Sequence, residues 1–245
     1  MNVYQSICTG KNEGRKQLAV LIDPDKTENS KLKQLSALAG DGKIDYFFVG
    51  GSLLVNNQLD SCIKLLKENS GIPVILFPGN TLQMSYRADA MLFLSLISGR
   101  NAEMLIGRHV VAAPYLKLSN VEVISTGYML IESGKPTAVS YMSNSVPIPA
   151  DKNDIAMCTA MAGEMLGLKL IFMDAGSGAL NPVSETMIEH VSQSISVPLI
   201  VGGGISTPEK AAESAQAGAD LIVIGNAAEK DPSIVSEISA SLRKI

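Results

Sequence analysis

Along this chain, short apolar runs alternate with glycine-rich or polar turns and with stretches whose apolar positions recur every three or four residues. Eight runs stand out: residues 17–23 (QLAVLID), 45–52 (DYFFVGGS), 72–80 (IPVILFPGN), 90–96 (AMLFLSL), 121–131 (VEVISTGYMLI), 169–178 (KLIFMDAGSG), 197–205 (VPLIVGGGI) and 220–226 (DLIVIGN). They are rich in Val, Ile and Leu and apolar at consecutive positions. Strands of a parallel sheet covered on both faces read this way. Between them, residues 56–69 place Leu59, Ile63 and Leu66 at helical spacing. Residues 153–168 place Ile155, Thr159, Ala162, Met165 and Leu166 on one side, and Met157, Met161 and Met165 read as core of the same helix. Thr207 and Pro208 open a further helix as N-cap and first helical residue, and Gly218 ends it. Asp231-Pro232 reads as opening the last helix in the same way.

Eight strands with helices between most of them, in 245 residues, predict an α/β protein of one domain spanning residues 1–245. The architecture expected is a closed parallel (β/α)8, or TIM, barrel. Residues 80–89 are too few and too polar for a third helix, so the barrel is modified there. Residues 133–149, with three prolines, add an excursion after the fifth strand.

Composition narrows the function. Hydrophobic residues make up 46% of the chain, which excludes disorder. The net charge is −4 and no stretch concentrates Lys and Arg, which argues against nucleic acid. Cys8, Cys62 and Cys158 are scattered and fit neither a disulfide framework nor a metal site, which predicts a reducing cytoplasm. The first sixteen residues lack the apolar core of a signal peptide. No apolar run reaches the roughly 18 residues of a membrane span.

Barrel enzymes build their sites at the C-terminal ends of the strands. Gly176-Ser177-Gly178, Gly202-Gly203-Gly204 and Gly225-Asn226 fall at the ends of the last three. Glycine-rich turns let backbone N–H groups converge on an anion, and phosphate sites in barrels favour the loops after strands seven and eight. The same glycines also suit tight strand-to-helix turns; their repetition at three successive strand ends favours phosphate. Asp23 directly follows the first strand, where a carboxylate enters the barrel mouth. Magnesium takes one or two carboxylates plus substrate phosphates, and Ser52, after the second strand, offers a hydroxyl. Equally, Asp23-Pro24 can initiate a turn and Ser52 can cap a helix.

Seven words occur in order along almost the whole chain: IDPDK (22–26), FVGGS (48–52), SGRNAEMLIGRHVVAAP (98–114), SNSVPIP (143–149), MDAGSGA (173–179), VGGGI (201–205) and IGNAA (224–228). In these words the chain resembles the geranylgeranylglyceryl phosphate synthase family, which includes the bacterial heptaprenylglyceryl phosphate synthases. The long middle word is similar to the larger, archaeal-type branch. The resemblance implies a modified TIM barrel that joins a prenyl diphosphate to the C3 hydroxyl of sn-glycerol 1-phosphate with magnesium, giving an ether-lipid precursor and diphosphate. It implies that Asp23 and Ser52 hold magnesium. It further implies that Phe172, Met173, Asp174, Ala175, Gly176, Ser177 and Gly178, with Gly203, Gly204, Gly225 and Asn226, hold glycerol phosphate. Two positions depart from the family's Tyr-Leu-Glu before AGSG: Phe172 has no phenolic hydroxyl, and Asp174 is one methylene shorter than Glu.

Within that reading Asp174 is the acceptor for the attacking hydroxyl, as orienter or general base. Lys26 and Arg100 are candidates for the diphosphate, although Arg100 also reads as a solvated helix start. His109 lies in a helical stretch and reads as structural, and His190 as a surface residue. A tail of about twenty carbons gains on the order of 10 kcal/mol gross on burial, at roughly 0.8 kcal/mol per CH2. Eleven methionines can adapt to such a groove, and Tyr128 and Tyr141 are candidates for its wall. The family forms dimers and hexamers, so a homo-oligomer is expected, with peripheral membrane contact for product release. Two alternatives stay open. Another phosphate-sugar barrel, an isomerase or cyclase, explains the glycine-rich ending but not Gly50-Gly51-Ser52 or SNSVPIP. A non-catalytic phosphate-ligand barrel is favoured by Phe172 and opposed by the pairing of Asp23 with Ser52.

Overall fold

The computed structural model describes residues 2–245. Each of the eight apolar runs forms a strand: β1 (Gln17–Ile22), β2 (Tyr46–Val49), β3 (Val74–Leu76), β4 (Ala90–Leu96), β5 (Glu122–Leu130), β6 (Leu170–Asp174), β7 (Leu199–Gly202) and β8 (Leu221–Ile224). They pair in parallel in chain order, and β8 returns to β1, closing the barrel. The helices are α1 (Val3–Asn12), α2 (Asn29–Gly40), α3 (Leu59–Ser70), α4 (Arg108–Lys117), α5 (Ala138–Ser143), α6 (Asn153–Met165), α7 (Glu185–Ser194), α8 (Pro208–Gln216), α9 (Asn226–Lys230) and α10 (Ile234–Leu242). A π-helical turn, Glu103–Gly107, runs directly into α4.

Because side chains alternate across a strand, the barrel separates two cores. Leu18, Val20, Phe47, Val49, Ile171 and Met173 face outward into the layer beneath the helices. Ala19, Tyr46, Phe48, Leu92, Ile124, Leu170, Phe172 and Ile200 fill the interior. The N-terminal end of the barrel is closed by α1, which opens on an Asn2–Gln5 capping box and buries Val3 and Ile7. The Glu122 carboxylate accepts from the Val3 and Tyr4 amides at 2.7 and 3.2 Å, satisfying the first turn of α1. Inside, the Tyr46 hydroxyl reaches the Gln17 side chain at 2.8 Å, and Gln17 donates to the Ile7 carbonyl at 3.1 Å. These bonds satisfy the polar groups buried under α1.

No helix covers the connection from β3 to β4, and β3 meets β4 over only two residue pairs. This is the modification that residues 80–89 announced. The 133–149 excursion contains the short α5, capped at Thr137 by a reciprocal pair of bonds with Ser140.

Two expectations fail in detail. The buried face of α6 is Ala156, Ala160 and Gly163, whereas Ile155, Met165 and Leu166 are exposed and Met161 only packs from the edge. The cause is close approach: a Cβ on Gly163 would stand 2.8 and 3.0 Å from the Ile97 and Ile171 side chains. Only small residues fit there, so the larger apolar ones turn outward. The last helix starts at Ile234, later than Asp231-Pro232 implied, because the Asp231 carboxylate accepts from the Ser233 amide at 2.9 Å and closes a turn of its own. By contrast Thr207 and Pro208 open α8 as read, with the Thr207 hydroxyl accepting from the Lys210 amide.

Candidate active site

All strand-to-helix loops emerge at one end of a parallel barrel, and alternation decides which residues look into it. On β6, Leu170, Phe172 and Asp174 point inward. Asp174 therefore enters the mouth although it is buried. Its Oδ1 accepts from the Gly176 amide at 2.7 Å, and its Oδ2 accepts from the Tyr128 hydroxyl at 2.6 Å. Burial raises the Asp174 pKa above the usual carboxylate range, against the lowering effect of these two bonds. Gly203, at φ 81°, lies against this carboxylate: a Cβ there would sit 2.6 Å from Asp174 Oδ1 and from the Gly176 amide nitrogen. Gly204, at φ 71°, is pressed equally close to Asn181 and Pro182. Ser177 donates to the Asn226 side chain at 3.1 Å, joining the ends of β6 and β8. The glycines are thus required by backbone approach, and the same approach gathers the ends of β6, β7 and β8 around one polar pocket.

On the far side of β8 from that pocket, Asp23 stands at the end of the neighbouring strand β1, next inward after Ala19 and Leu21. Its Oδ1 accepts from the Asp25 amide at 3.0 Å, and its Oδ2 pairs with Lys26 Nζ at 2.6 Å. That hydrogen bond raises the Lys26 pKa. A Cβ on Gly51 would be 3.3 Å from Asp23 Oδ2, so the loop after β2 passes beside the carboxylate one residue before Ser52, and both Asp23 and Ser52 line the cavity. The Asp23 amide donates to the Glu229 carboxylate at 3.2 Å, and burial raises the Glu229 pKa. Among the described residues no group of three or more His, Cys, Asp or Glu side chains is placed to hold a metal. The donors here are one carboxylate and one hydroxyl, hard oxygens suited to a magnesium ion that keeps water and substrate phosphate as its other ligands.

Both ends open into one cavity of about 950 Å³, lined by Asp23, Lys26, Ser52, Asp174, Gly176–Gly178, Gly202–Gly204, Gly225 and Asn226. The cavity continues over Leu92, Leu94 and Leu96, which face inward from β4, and also over Met91 and Phe93, which face outward. It therefore spills over the rim and down the outer flank of β4, where a third helix would otherwise lie. The far wall is Met104 of the π-helical turn with His109 and Ala112 of α4. The Phe93 ring meets His109 edge-on at 4.3 Å, and burial lowers the His109 pKa. His109 is thus a neutral part of the groove wall. His190 is exposed, as read.

Several assignments move. Met173 and Ala175 do not line the cavity: they face outward into the helix layer, and the Ala175 amide donates to the Gly202 carbonyl. Arg100 does not reach it either; its guanidinium turns back onto the Gly99 carbonyl at the surface. Arg108 lines the cavity in its place, donating to the Gly79 carbonyl at 2.8 Å. Tyr141 lies 85% exposed on the outer face of α5 and forms no part of the groove. Tyr128 does line it, but as the hydroxyl partner of Asp174. Phe172 is buried against the Phe77 and Tyr128 rings, 5.3 and 5.6 Å away, with its ring edge over Gly202. Since Tyr128 sits beside Phe172 in the β5–β6 register, the hydroxyl missing from Phe172 stands one strand over. Pairwise strand register was the only signal for that, and it is not visible along the chain.

A closed parallel barrel with a glycine-built polar pocket at β6–β8, an acidic corner at β1–β2 and an apolar groove along β4 defines an enzyme class that unites a phosphate ligand with a long apolar one. The chain belongs to the PcrB family, whose model matches residues 12–242. It is 56% identical over 237 residues to the geranylgeranylglyceryl phosphate synthase of Chitinophaga pinensis, covering 97% of this chain and 94% of that protein. It is 52% identical over 234 residues to the synthase of the same name from Spirosoma linguale, covering 96% and 94%. The crystal structure of (S)-3-O-geranylgeranylglyceryl phosphate synthase from Thermoplasma acidophilum, in complex with its substrate sn-glycerol-1-phosphate, matches with a TM-score of 0.94 and 32% identity over the full length of both chains.

Proposed function

We propose that this protein is a prenyltransferase that joins a prenyl diphosphate, with geranylgeranyl diphosphate the first to test, to the C3 hydroxyl of sn-glycerol 1-phosphate, using magnesium. One observation carries the reading: a single cavity joins a glycine-built anion pocket containing one buried carboxylate to an acidic corner and to an apolar groove outside the barrel. The Thermoplasma acidophilum relative binds sn-glycerol-1-phosphate, and the pocket at β6–β8 is the place in this chain with matching chemistry. An isomerase or cyclase of phosphate sugars leaves the β4 groove without a purpose.

In this reading Gly203, Gly204, Gly225 and Asn226 hold the phosphate, and Asp174 accepts from the glycerol hydroxyls. The C3 oxygen forms a bond to the first prenyl carbon as the bond from that carbon to diphosphate oxygen breaks, and Asp174 takes the hydroxyl proton. Tyr128 fixes the orientation of Asp174. Asp23 and Ser52 are the residues that would hold magnesium, which when bound neutralises the charge of the leaving diphosphate. Lys26 and Arg108 add positive charge at the same end. The walls from β4 and α4 keep water from the cationic prenyl carbon.

Pinning the phosphate at one end and the hydroxyls at the other makes the pocket chiral. Incubation with magnesium, geranylgeranyl diphosphate and radiolabelled sn-glycerol 1-phosphate is expected to carry label into an organic extract, with sn-glycerol 3-phosphate far poorer. Equal kcat/KM for the two enantiomers overturns the pocket assignment. No described helix is long and apolar enough to cross a membrane, and a cytoplasmic site with peripheral membrane contact belongs to the same proposal. Exposed Leu53, Val55, Leu82 and Val146 on the mouth loops support that contact. A homo-oligomer is supported by exposed Val110, Val111, Tyr115 and Leu118 along α4, and sedimentation measures it.

A further inference from the structure

We propose that Gln83 is a positioning residue for the diphosphate side of the mouth: its buried amide clasps the loops after β2 and β3 together and so holds Ser52 beside Asp23. The inference rests on the reading of Asp23 and Ser52 given above. Gln83 is 3% exposed and is absent from the cavity wall, so it acts only through what it holds. Its Oε1 accepts from the Gly79 amide at 3.0 Å and from the Gly51 amide at 3.3 Å, and its Nε2 donates to the Gly51 carbonyl at 2.8 Å. Both polar directions of Gly51 are thereby fixed by one side chain, one residue before Ser52. The loops are in backbone contact at this point. A Cβ on Gly79 would stand 2.2 Å from the Gly51 carbonyl oxygen and 2.9 Å from that of Ser52.

The clasp is needed because no helix lies between β3 and β4. In an ordinary βα unit the helix packs on its strand and steadies the loop; here β3 is three residues long and leads into turns. Gln83 supplies from within those turns the restraint that a helix would give. Arg108, at the start of α4, continues the chain of contacts by donating to the Gly79 carbonyl from the groove side. On the opposite flank Asp25 accepts from the Val55 and Asn56 amides, so the Ser52 loop is held from two sides. Displacing a catalytic ligand by about 1 Å can cost on the order of a hundredfold in rate.

The test uses the full-length protein with Gln83→Met, which keeps the length and removes all three bonds, and Gln83→Glu, which keeps the acceptor and sets an oxygen against the Gly51 carbonyl. Magnesium half-saturation, KM for the prenyl diphosphate, kcat and glycerol phosphate affinity are measured beside Ser52→Ala. The expected result is a magnesium requirement raised at least about tenfold and a lower kcat, with glycerol phosphate affinity within about twofold of the parent. Gln83→Glu, one atom from the parent, keeps the question answerable if Gln83→Met does not fold. If Ser52→Ala shifts the magnesium requirement while a folded Gln83 variant does not, the clasp is overturned. An equal loss of glycerol phosphate affinity overturns it too, since that marks general destabilisation. If Ser52→Ala itself leaves the magnesium requirement unchanged, the metal reading fails instead.

Discussion

The two ends of the mouth are built in different ways. At the ends of β6, β7 and β8 the backbone makes the pocket. Gly176, Gly203 and Gly204 adopt positive φ, and Gly203 and Gly204 stand where no side chain fits. At the ends of β1 and β2 the positions are set by side chains reaching from elsewhere: Gln83 from the β3–β4 turns, Asp25 behind the Ser52 loop and Glu229 from α9. A backbone-built pocket suits a ligand that always binds the same way, as a phosphate does. A corner held by side chains depends on each of those contacts, so single side-chain changes far along the chain can displace it.

Charge at the side-chain-built end gives the largest expected effect. Asp23→Asn preserves shape and removes the anion, so turnover is expected to fall at least about a hundredfold, roughly 2.7 kcal/mol of transition-state stabilisation. Ser52→Ala is expected to lose less, because water would replace a neutral ligand in the proposed metal site. Glycerol phosphate affinity, measured by calorimetry, stays near the parent value in both, because neither variant alters the glycine turns of β6–β8 or the Asp174 carboxylate. Retained turnover of Asp23→Asn at ordinary magnesium concentration breaks the division between the ends.

The converse variant is Gly203→Ala. It imposes about 1–2 kcal/mol of left-handed backbone strain and drives a methyl into Asp174. The KM for glycerol phosphate is expected to rise at least about tenfold while magnesium half-saturation holds. A shift in both would show that the two ends are coupled.

Asp174→Asn separates stability from catalysis. The folded protein holds the Asp174 proton more tightly than the unfolded chain does, so ionising this group costs stability. That cost is absent below the unfolded pKa of about 3.9, grows as pH rises toward the folded value and is constant above it. The Asn variant is therefore expected to melt at a higher temperature than the parent at pH 7, with the gap closing toward pH 4. Its kcat/KM should fall about tenfold, a modest loss because a nearly free prenyl cation asks little of a base. A lower melting temperature at pH 7 would mean that the bonds from Tyr128 and Gly176 outweigh burial.

The smallest effect is expected of Phe172→Tyr. Its hydroxyl would add a donor near the phosphate, worth about 1.5–3 kcal/mol at best, and the tight contacts with Gly202, Phe77 and Tyr128 will consume part of that. A severalfold lower KM for glycerol phosphate, with the prenyl diphosphate KM unchanged, is the expected outcome. A loss of folding would show the ring is locked by its neighbours.

Much of this molecule is legible residue by residue. The eight strands follow from runs of apolar residues too dense for a surface helix, and the capping of α8 from Thr207 and Pro208. Asp23 and Asp174 look into the barrel because each stands an even number of places along its strand from an inward residue. The glycine words mark the proposed phosphate end because positive φ and a missing Cβ are properties of single residues.

The rest depends on which side chains meet across long stretches of chain. Tyr128 and Asp174 are 46 residues apart, and Gln83 and Gly51 are 32 apart; no local pattern links them. Apolar spacing located α6 but chose the wrong face, since its periodicity could not report that Gly163 must approach Ile171. Arg108 rather than Arg100 reaches the cavity because the Arg100 guanidinium turns back onto the Gly99 carbonyl while that of Arg108 reaches the Gly79 carbonyl, and Tyr141 turns to solvent because α5 packs through Val139 and Ser143. Strand positions and turn conformations are local and recur at short range in the residues themselves, whereas the partner of a buried carboxylate and the clasp on a loop come into being only when the closed barrel brings distant residues within hydrogen-bonding distance.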